Sequence, residues 1–286
     1  MQTQDSDTIA SLLFKSVNAL RATSDSARLD AEVLLAHVLE KTRVQLYGDK
    51  NDKVRPDYAA KFLTLVSKRR EGLPIAQLTG RREFWSLDLD VTPDTLIPRP
   101  ETELLVECAL NRIDRDAPGD ILDLGTGSGA IALAVARERR AANVTATDLS
   151  EAALAVARQN ANKLDLHNVR FRPGDWYGAV MGQHFGTIVA NPPYVTEHEF
   201  QLHDFELIHE PLVALLGGGR DGLAAIRLIA GKVAEFLLPG GWLLVEHGFR
   251  QGSAVARLFQ QAGLRSVCTY RDLPGLPRVT EGQLPE

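Results

Sequence analysis

Residues 188–197 read IVANPPYVTE, an apolar run that stops at two consecutive prolines. Proline has no amide to give a sheet ladder, so the strand must end at Asn191. The stiff turn then presents two acceptors side by side, the Asn191 side-chain oxygen and the Pro192 carbonyl, with Pro193 and the Tyr194 ring following. Two acceptors so placed match the two hydrogens of a planar NH2 group. Their effect would be positional and electrostatic, growing as positive charge develops on the nitrogen, and it needs no general base. An Asn-Pro-Pro turn by itself is more often a structural device, so its chemistry depends on what else reaches that edge of a sheet.

DLGTGSG, residues 123–129, supplies a second feature. Gly125, Gly127 and Gly129, with Thr126 and Ser128 between them, permit a sharp strand-to-helix turn whose amides face a ligand. Asp148 closes a following strand roughly twenty residues on, where a carboxylate can hold both hydroxyls of a ribose. A P-loop would need Gly-Lys-Ser/Thr after the turn, where Ala130 and Ile131 stand. A nucleophile elbow needs glycines two either side of the serine, but Thr126 and Ala130 flank Ser128. A nicotinamide cofactor and S-adenosylmethionine remain. The plainer reading is a tight turn and an N-capping Asp.

These residues need a scaffold that brings strand ends together. From about residue 118 strands alternate with helices: DILDLG, NVTATD, VRFRPGD, TIVANPP, GWLLVEHG and SVCTYRDL, with helical patterns such as SEAALAVARQNANKL between them. That alternation predicts an α/β, doubly wound, mostly parallel sheet with ligands beyond the carboxyl ends of its strands. Residues 1–80 read as helical. In SARLDAEVLLAHVLE, Leu29, Val33 and Ala36 with Leu35 and Leu39 form a stripe, and Ser24, Asp25 or Ser26 can cap it. Tyr58, Phe62, Leu65, Val66 and Arg69 form another, stopped by Gly72 and Pro74. SLDLDVTP alternates like a half-exposed hairpin strand, and LIPRPETELLVECAL restarts a helix at Pro100. Residues 1–80, an 81–100 hairpin linker and residues 101–286 are the expected divisions.

At 44% apolar and 24% charged residues the chain is a globular protein rather than a disordered one. MQTQDSDTIA lacks the basic and apolar regions of a signal peptide, and AIALAVA is far shorter than the roughly 20 residues that span a bilayer. Cys108 and Cys268 form no disulfide framework, so a cytoplasmic location is expected. The net charge of −5 argues against gripping long nucleic acid. HEFQLH, residues 198–203, sets His198 and His203 about 140° apart on a helix, off a shared face, and no metal is expected.

The glycine spacing with Asp123 resembles the first motif of S-adenosylmethionine-dependent methyltransferases. Asp148 then resembles their ribose ligand, and GDW their adenine-flanking motif, with Asp175 accepting from the adenine amino group and Trp176 stacking on the ring. NPPY is similar to the turn of methyltransferases acting on amino groups of adenine, cytosine and glutamine. TLIPRPETELLV (95–106) resembles the signature of the release factor glutamine methyltransferases, the PrmC or HemK family, and EPLVALLGGGRDGL, EHG and RDLPGLPRV follow the same pattern. This resemblance spans about residues 25–280.

The resemblance implies a seven-stranded Rossmann-like methyltransferase sheet, a small all-α N-terminal domain that recognises substrate, and a β-hairpin joint. It implies methyl transfer from S-adenosyl-L-methionine to the amide nitrogen (N5) of the glutamine in the Gly-Gly-Gln motif of class 1 peptide chain release factors. Gly125, Thr126, Gly127, Ser128, Gly129, Asp148, Asp175, Trp176 and Asn191 would bind cofactor. Asn191, Pro192, Pro193 and Tyr194 would bind substrate, with Asn191, Pro192 and Tyr194 catalytic. Phe84, Arg99 and Glu101 fall in the joint region near the methionine end of the cofactor, where capping and hairpin packing explain them equally well. Phe84-Trp85-Ser86 departs from the expected aromatic followed by glycine. Two alternatives remain. An N6-adenine type nucleic acid methyltransferase would want a basic cleft and a target-recognition domain. A non-catalytic cofactor-binding protein would show damaged glycines or lack the Asn.

Overall fold

Among the described residues up to Gly80 there are five helices: α1 (Ile9–Leu20), α2 (Ala27–Leu39), α3 (Arg43–Gly48), α4 (Pro56–Arg70) and α5 (Ile75–Thr79). The computed structural model describes residues 7–202 and 207–286. Local chemistry sets the helix ends. Thr8 accepts from the Ser11 amide, Thr42 and Gln45 form a capping box, and Pro56 opens α4 where its missing amide costs nothing. Ala31, Leu34, Leu35 and Val38 of α2 pack with Leu12, Leu20, Phe62 and Val66 in one apolar core. The buried face of α2 is therefore turned from the expected stripe. Leu29 is exposed, while Asp30 and Glu32 are buried. Two acids can go inside because cations meet them there: Arg69 Nε lies 2.7 Å from Asp30, and Arg43 Nη2 lies 2.8 Å from Glu32.

Compact packing divides between Gly80 and Arg81. The hairpin of β1 (Arg81–Phe84) and β2 (Leu87–Asp90) belongs with the C-terminal unit, burying Phe84, Leu87 and Leu89 and exposing Asp88. A single 3-10 turn at Pro100–Thr102 leads into α6 (Glu103–Leu110). Then follow β3 (Asp120–Leu124), α7 (Ala130–Glu138), β4 (Asn143–Asp148), α8 (Glu151–Lys163), β5 (Val169–Pro173) and β6 (Phe185–Ala190). After two short helices, α9 (Glu197–Leu202) and α10 (Leu212–Leu215), the chain completes α11 (Ala224–Lys232), β7 (Leu237–Glu246), α12 (Gly252–Gln261), β8 (Arg265–Arg271) and β9 (Pro277–Gln283). Among the described residues no helix is long and apolar enough to cross a membrane.

Seven strands form one sheet in the order β5-β4-β3-β6-β7-β9-β8. β3 to β7 run parallel, and β9 runs antiparallel between β7 and β8. The chain moves outward through β4 and β5, then returns to the other side of β3 with β6. That reversal between β3 and β6 opens a crevice at the carboxyl ends of the strands. One apolar core holds α6, α7 and the hairpin, and another holds α11 and α12. β9 is the strand the sequence pattern hides. Val279, Thr280, Glu281 and Gly282 are all buried, so no polar–apolar alternation marks it. Thr280 meets His247 Nε2 at 2.9 Å, and Glu281 accepts from Tyr270 at 2.8 Å and from Arg112.

Candidate active site

Strand register alone assembles the site. Leu124 pairs with Thr147 on one side and Ala190 on the other, so the residues that follow, Gly125, Asp148 and Asn191, leave three adjacent strands at one level. Asp148 pairs with Pro173, which brings Gly174 and Trp176 alongside. The glycine loop turns with φ of 73° at Gly125 and 57° at Gly127, a region L side chains avoid. The Gly125 and Thr126 amides both bond the Thr147 carbonyl at 2.9 Å, and the Gly127 amide donates to Asp148 Oδ2 at 2.8 Å. Asp148 Oδ1 takes the Ser150 amide at 2.8 Å. Each oxygen of this half-buried carboxylate keeps a second lone pair, enough for a vicinal diol.

A cleft of about 330 Å³ opens over these strand ends. Gly125, Gly127, Asp148, Asp175, Trp176, Asn191, Pro192 and Pro193 line it, together with Pro93–Leu96, Pro211, Val213 and Ala214. A Cβ on Gly125 would stand 3.7 Å from the Trp176 ring, so the indole lies against the glycine loop. Trp176 holds φ at 45°, a local strain at the start of a 3-10 turn that Tyr177 and Val180 anchor by their burial. A carboxylate and an indole face beside a close glycine turn, in a space of this size, fit a nucleoside with a ribose and a stacked base.

Three comparisons bear on this geometry. The family described as Methyltransferase small domain matches residues 100–227, and that described as PrmC N-terminal domain matches residues 11–80. A release factor glutamine methyltransferase of Xylella fastidiosa (strain 9a5c) is 47% identical over 264 residues, covering 92% of this chain and 96% of its own. The chain belongs to the release factor glutamine methyltransferases. The protein of that name from Escherichia coli (strain K12) is 44% identical over 271 residues, covering 95% and 97%. A methyltransferase structure from Pyrococcus furiosus, 18% identical, covers 81% of this chain and 100% of its own with a TM-score of 0.55, which supports the fold. S-adenosyl-L-methionine is therefore the cofactor, and the cleft has the groups to hold it.

Not every residue expected at the site of this methyltransferase lines the cleft. Thr126 is buried with its hydroxyl on Asp123 Oδ2 at 2.6 Å, and the Ser128 carbonyl accepts from Asn160 Nδ2 at 2.9 Å. Gly129 is a packing glycine at φ 87°, where a Cβ would meet Leu133 and Ala157 within 3.0–3.2 Å. Phe84 lies in the apolar core, Arg99 pairs with the buried Glu210, and Glu101 is half-buried beyond the cleft lining. Tyr194 also stands outside that lining, its hydroxyl donating to Glu246 Oε1 at 3.1 Å. His198 is exposed on α9, whereas His203 of the HEFQLH segment lies outside the described residues.

Support for the Asn191 turn comes from residues whose pairing with it no local motif marks. Thr102 Oγ1 accepts from Asn191 Nδ2 at 3.1 Å. Gln251 Nε2 donates to the Tyr194 carbonyl at 3.0 Å and to the Asp221 carbonyl at 2.8 Å. Gly222 packs so closely that a Cβ there would sit 2.2 Å from the Tyr194 carbonyl oxygen. Glu210 takes the Ile97 amide at 2.8 Å as well as Arg99, tying the loop before α6 to the segment entering α10, two parts of the same cleft wall.

Two buried acids stand behind the strand ends. Burial pushes Asp123 up to about 7, against the Thr126 hydroxyl and Ala132 amide, while the Asp148 charge adds to the rise. Burial likewise pushes Glu246 up to about 7, with Thr102, Tyr194 and Arg278 acting to lower it and Glu101 to raise it. Burial and the Glu246 charge hold the Tyr194 hydroxyl far above the usual phenol range, so it stays a donor.

Proposed function

We propose that this methyltransferase acts on the side-chain amide nitrogen (N5) of the glutamine in the Gly-Gly-Gln motif of class 1 peptide chain release factors. What carries the reading is Asn191, placed at the cleft beside Gly125 and Asp148 with its Nδ2 given to Thr102. Its oxygen is thereby free for one hydrogen of the target NH2, and the Pro192 carbonyl serves the other. An amide lone pair is delocalised, and two acceptors favour a pyramidal, nucleophilic nitrogen, increasingly so as charge develops. The bound cofactor supplies the electrophilic methyl group.

Asp148 holds the ribose hydroxyls, Trp176 offers its ring face and Asp175 an acceptor to the adenine, and the glycine turn at Gly125 and Gly127 lines the cofactor's path. Tyr194 serves through the turn that it anchors on Glu246. The helical domain before Arg81 serves the protein substrate. The protein works in the cytoplasm, without a metal and without stably bound nucleic acid. A narrow Gly-Gly-Gln loop lets an extended glutamine enter with little steric cost, whereas a flipped adenine needs a wider slot and a basic track. Most docking energy then comes from the factor's surface, so a short Gly-Gly-Gln peptide should react far more slowly than the intact factor. Radiolabelled cofactor offered with intact factor, its Gln→Ala variant and duplex DNA tests the assignment. Label confined to the intact factor is expected; label on DNA, or equal label on the variant, overturns it.

A further inference from the structure

The two acceptors assigned to the target NH2, Asn191 Oδ1 and the Pro192 carbonyl, sit on a turn with few free torsions. Each proline fixes its own φ and restricts the residue before it to extended ψ, so Asn191 and Pro192 both lose freedom. On the strand side the turn is anchored, because Ala190 still pairs with Leu124 and with Val245. The direction of the Pro192 carbonyl is then set by whatever holds the chain just past Pro193.

One side chain from outside the turn does this. Gln251, the N-cap residue of α12, donates Nε2 to the Tyr194 carbonyl at 3.0 Å and to the Asp221 carbonyl at 2.8 Å. Its Oε1 takes the Gly248 amide at 2.8 Å. A flipped amide would set oxygen against two carbonyls and NH2 against an N–H, so its orientation is fixed. Gly248 is held in turn, its carbonyl accepting the Gln251 amide at 2.8 Å and lying 2.9 Å from His247 Nδ1. Backbone closes the other side: the Val195 amide donates to the Leu215 carbonyl at 2.9 Å, and the Gly217 amide to the Val195 carbonyl at 3.0 Å. Glycines permit the approach. A Cβ on Gly217 would stand 2.7 Å from the Pro193 carbonyl oxygen, closer than real Cβ atoms come.

We infer that Gln251 is a positioning residue for methyl transfer, clasping the Tyr194 carbonyl to the Asp221 and Gly248 loops and so aiming the acceptors of Asn191 and Pro192. The role rests on the proposed reading of those two acceptors. Gln251 lies outside the cleft lining and acts only through the turn. The clasp needs two donors and one acceptor at this reach. Asparagine is a methylene short, and an ionised glutamate has the shape of the amide but no hydrogen to donate.

The test compares wild type with Gln251→Glu and Gln251→Met in the full chain. Gln251→Glu keeps the length and the acceptor for Gly248 but turns an oxygen on two carbonyls. Gln251→Met keeps the length and loses all three bonds. Single-turnover transfer to saturating intact release factor should slow by about 10- to 100-fold in both, as misplacement of a reacting geometry does, with Gln251→Glu the slower. Calorimetric affinity for S-adenosylmethionine should stay nearly unchanged. Hydrogen exchange with cofactor present gives a readout free of any methyl acceptor. The Val195 and Gly217 amides, which close the turn, should exchange faster in both variants, while β3 and β4 exchange as in wild type. A wild-type transfer rate in either variant, unchanged exchange at Val195 and Gly217, or exchange quickened throughout the sheet would overturn the inference. If wild type labelled no release factor, the substrate reading would fail, and exchange at the turn would still judge the clasp.

Discussion

Buried acids are treated differently in the two halves of the chain. In the helical half, Asp30 is 2.7 Å from Arg69, and Glu32 collects Arg28, Arg43 and the Tyr47 hydroxyl at 2.6–2.9 Å. Burial raises Glu32, but Tyr47 and the two arginines outweigh it and leave its carboxyl below the usual range. At the strand ends, Asp123 and Glu246 are buried as completely, yet no cation bonds them among the described residues. Hydroxyls are their partners, and each keeps one oxygen without a hydrogen bond. Acids that hold helices together are neutralised in place. Those beside the cleft keep a proton affinity that solution pH can reach.

Removing a cation should therefore hurt most in the helical half. Arg69→Met leaves Asp30 buried among Ser24 and Ser26 hydroxyls without its positive partner. Breaking a buried pair from one side costs about 3–5 kcal/mol. Urea unfolding of the full chain should show the helical transition falling by that amount, with recovery in Arg69→Met/Asp30→Asn. A loss under about 1 kcal/mol would mean that the hydroxyls alone satisfy Asp30.

Asp148 also stands at a strand end, but it is half-buried and each of its oxygens is held by an amide, of Gly127 and of Ser150. Asp148→Ala removes those ties as well as the acceptors for a ribose. Charge-assisted hydrogen bonds are worth about 1.5–3 kcal/mol each, so cofactor affinity should fall at least tenfold. Calorimetry on a folded variant decides this, and unchanged affinity would take Asp148 out of the cofactor site.

The comparison also fixes opposite responses to acid. Glu246 goes from 4.5 unfolded to about 7 folded, so between those values the folded protein holds a proton that the unfolded chain has lost. Its contribution to stability is largest below about 4.5, declines as pH rises to about 7, and stays at its least favourable above. Glu32 runs the other way: its contribution is present above 4.5 and is lost as pH falls through its lowered value. In melting curves, Glu246→Gln should gain on wild type as pH rises from 5 to 8, whereas the deficit of Glu32→Gln should shrink only on acidification below 4.5. Parallel curves for Glu246→Gln and wild type would deny Glu246 its raised value.

The strand-end loops were legible because each is contiguous and needs unusual backbone: glycines that turn, prolines that end a strand, an acid at a fixed place after it. Their supports were not. Thr102 lies 89 residues from Asn191, and Glu210 lies 113 from Ile97, so only the folded sheet reveals those pairs. Asn160 is hidden in the same way, its amide bridging the Ser128 carbonyl to both backbone groups of Asp90. The face of α2 was misjudged for a related reason. A pattern of apolar residues cannot foresee that Asp30 will be buried by an arginine 39 positions away.

The hairpin turn gives the smallest and most local test. Trp85 and Ser86 connect β1 to β2 with φ of 52° and 56°, the geometry of a two-residue turn that favours glycine. This explains why an aromatic followed by glycine was expected there. Backbone bonds hold the turn regardless of the Ser86 side chain: the Ser86 amide donates to Glu83 at 2.7 Å, and its carbonyl accepts from Arg137 at 3.1 Å. Trp85 cannot be traded so freely, since its indole donates to Glu138 at 3.2 Å and its ring packs on the core. Ser86 is exposed. Ser86→Gly should relieve a left-handed conformation that costs L residues about 1–2 kcal/mol, part of which returns as extra freedom of the unfolded glycine. A net gain of about 0.5–1 kcal/mol is expected, a rise of roughly 1–4 °C in melting temperature, with cofactor affinity untouched. A fall in melting temperature would show that the serine stabilises this turn.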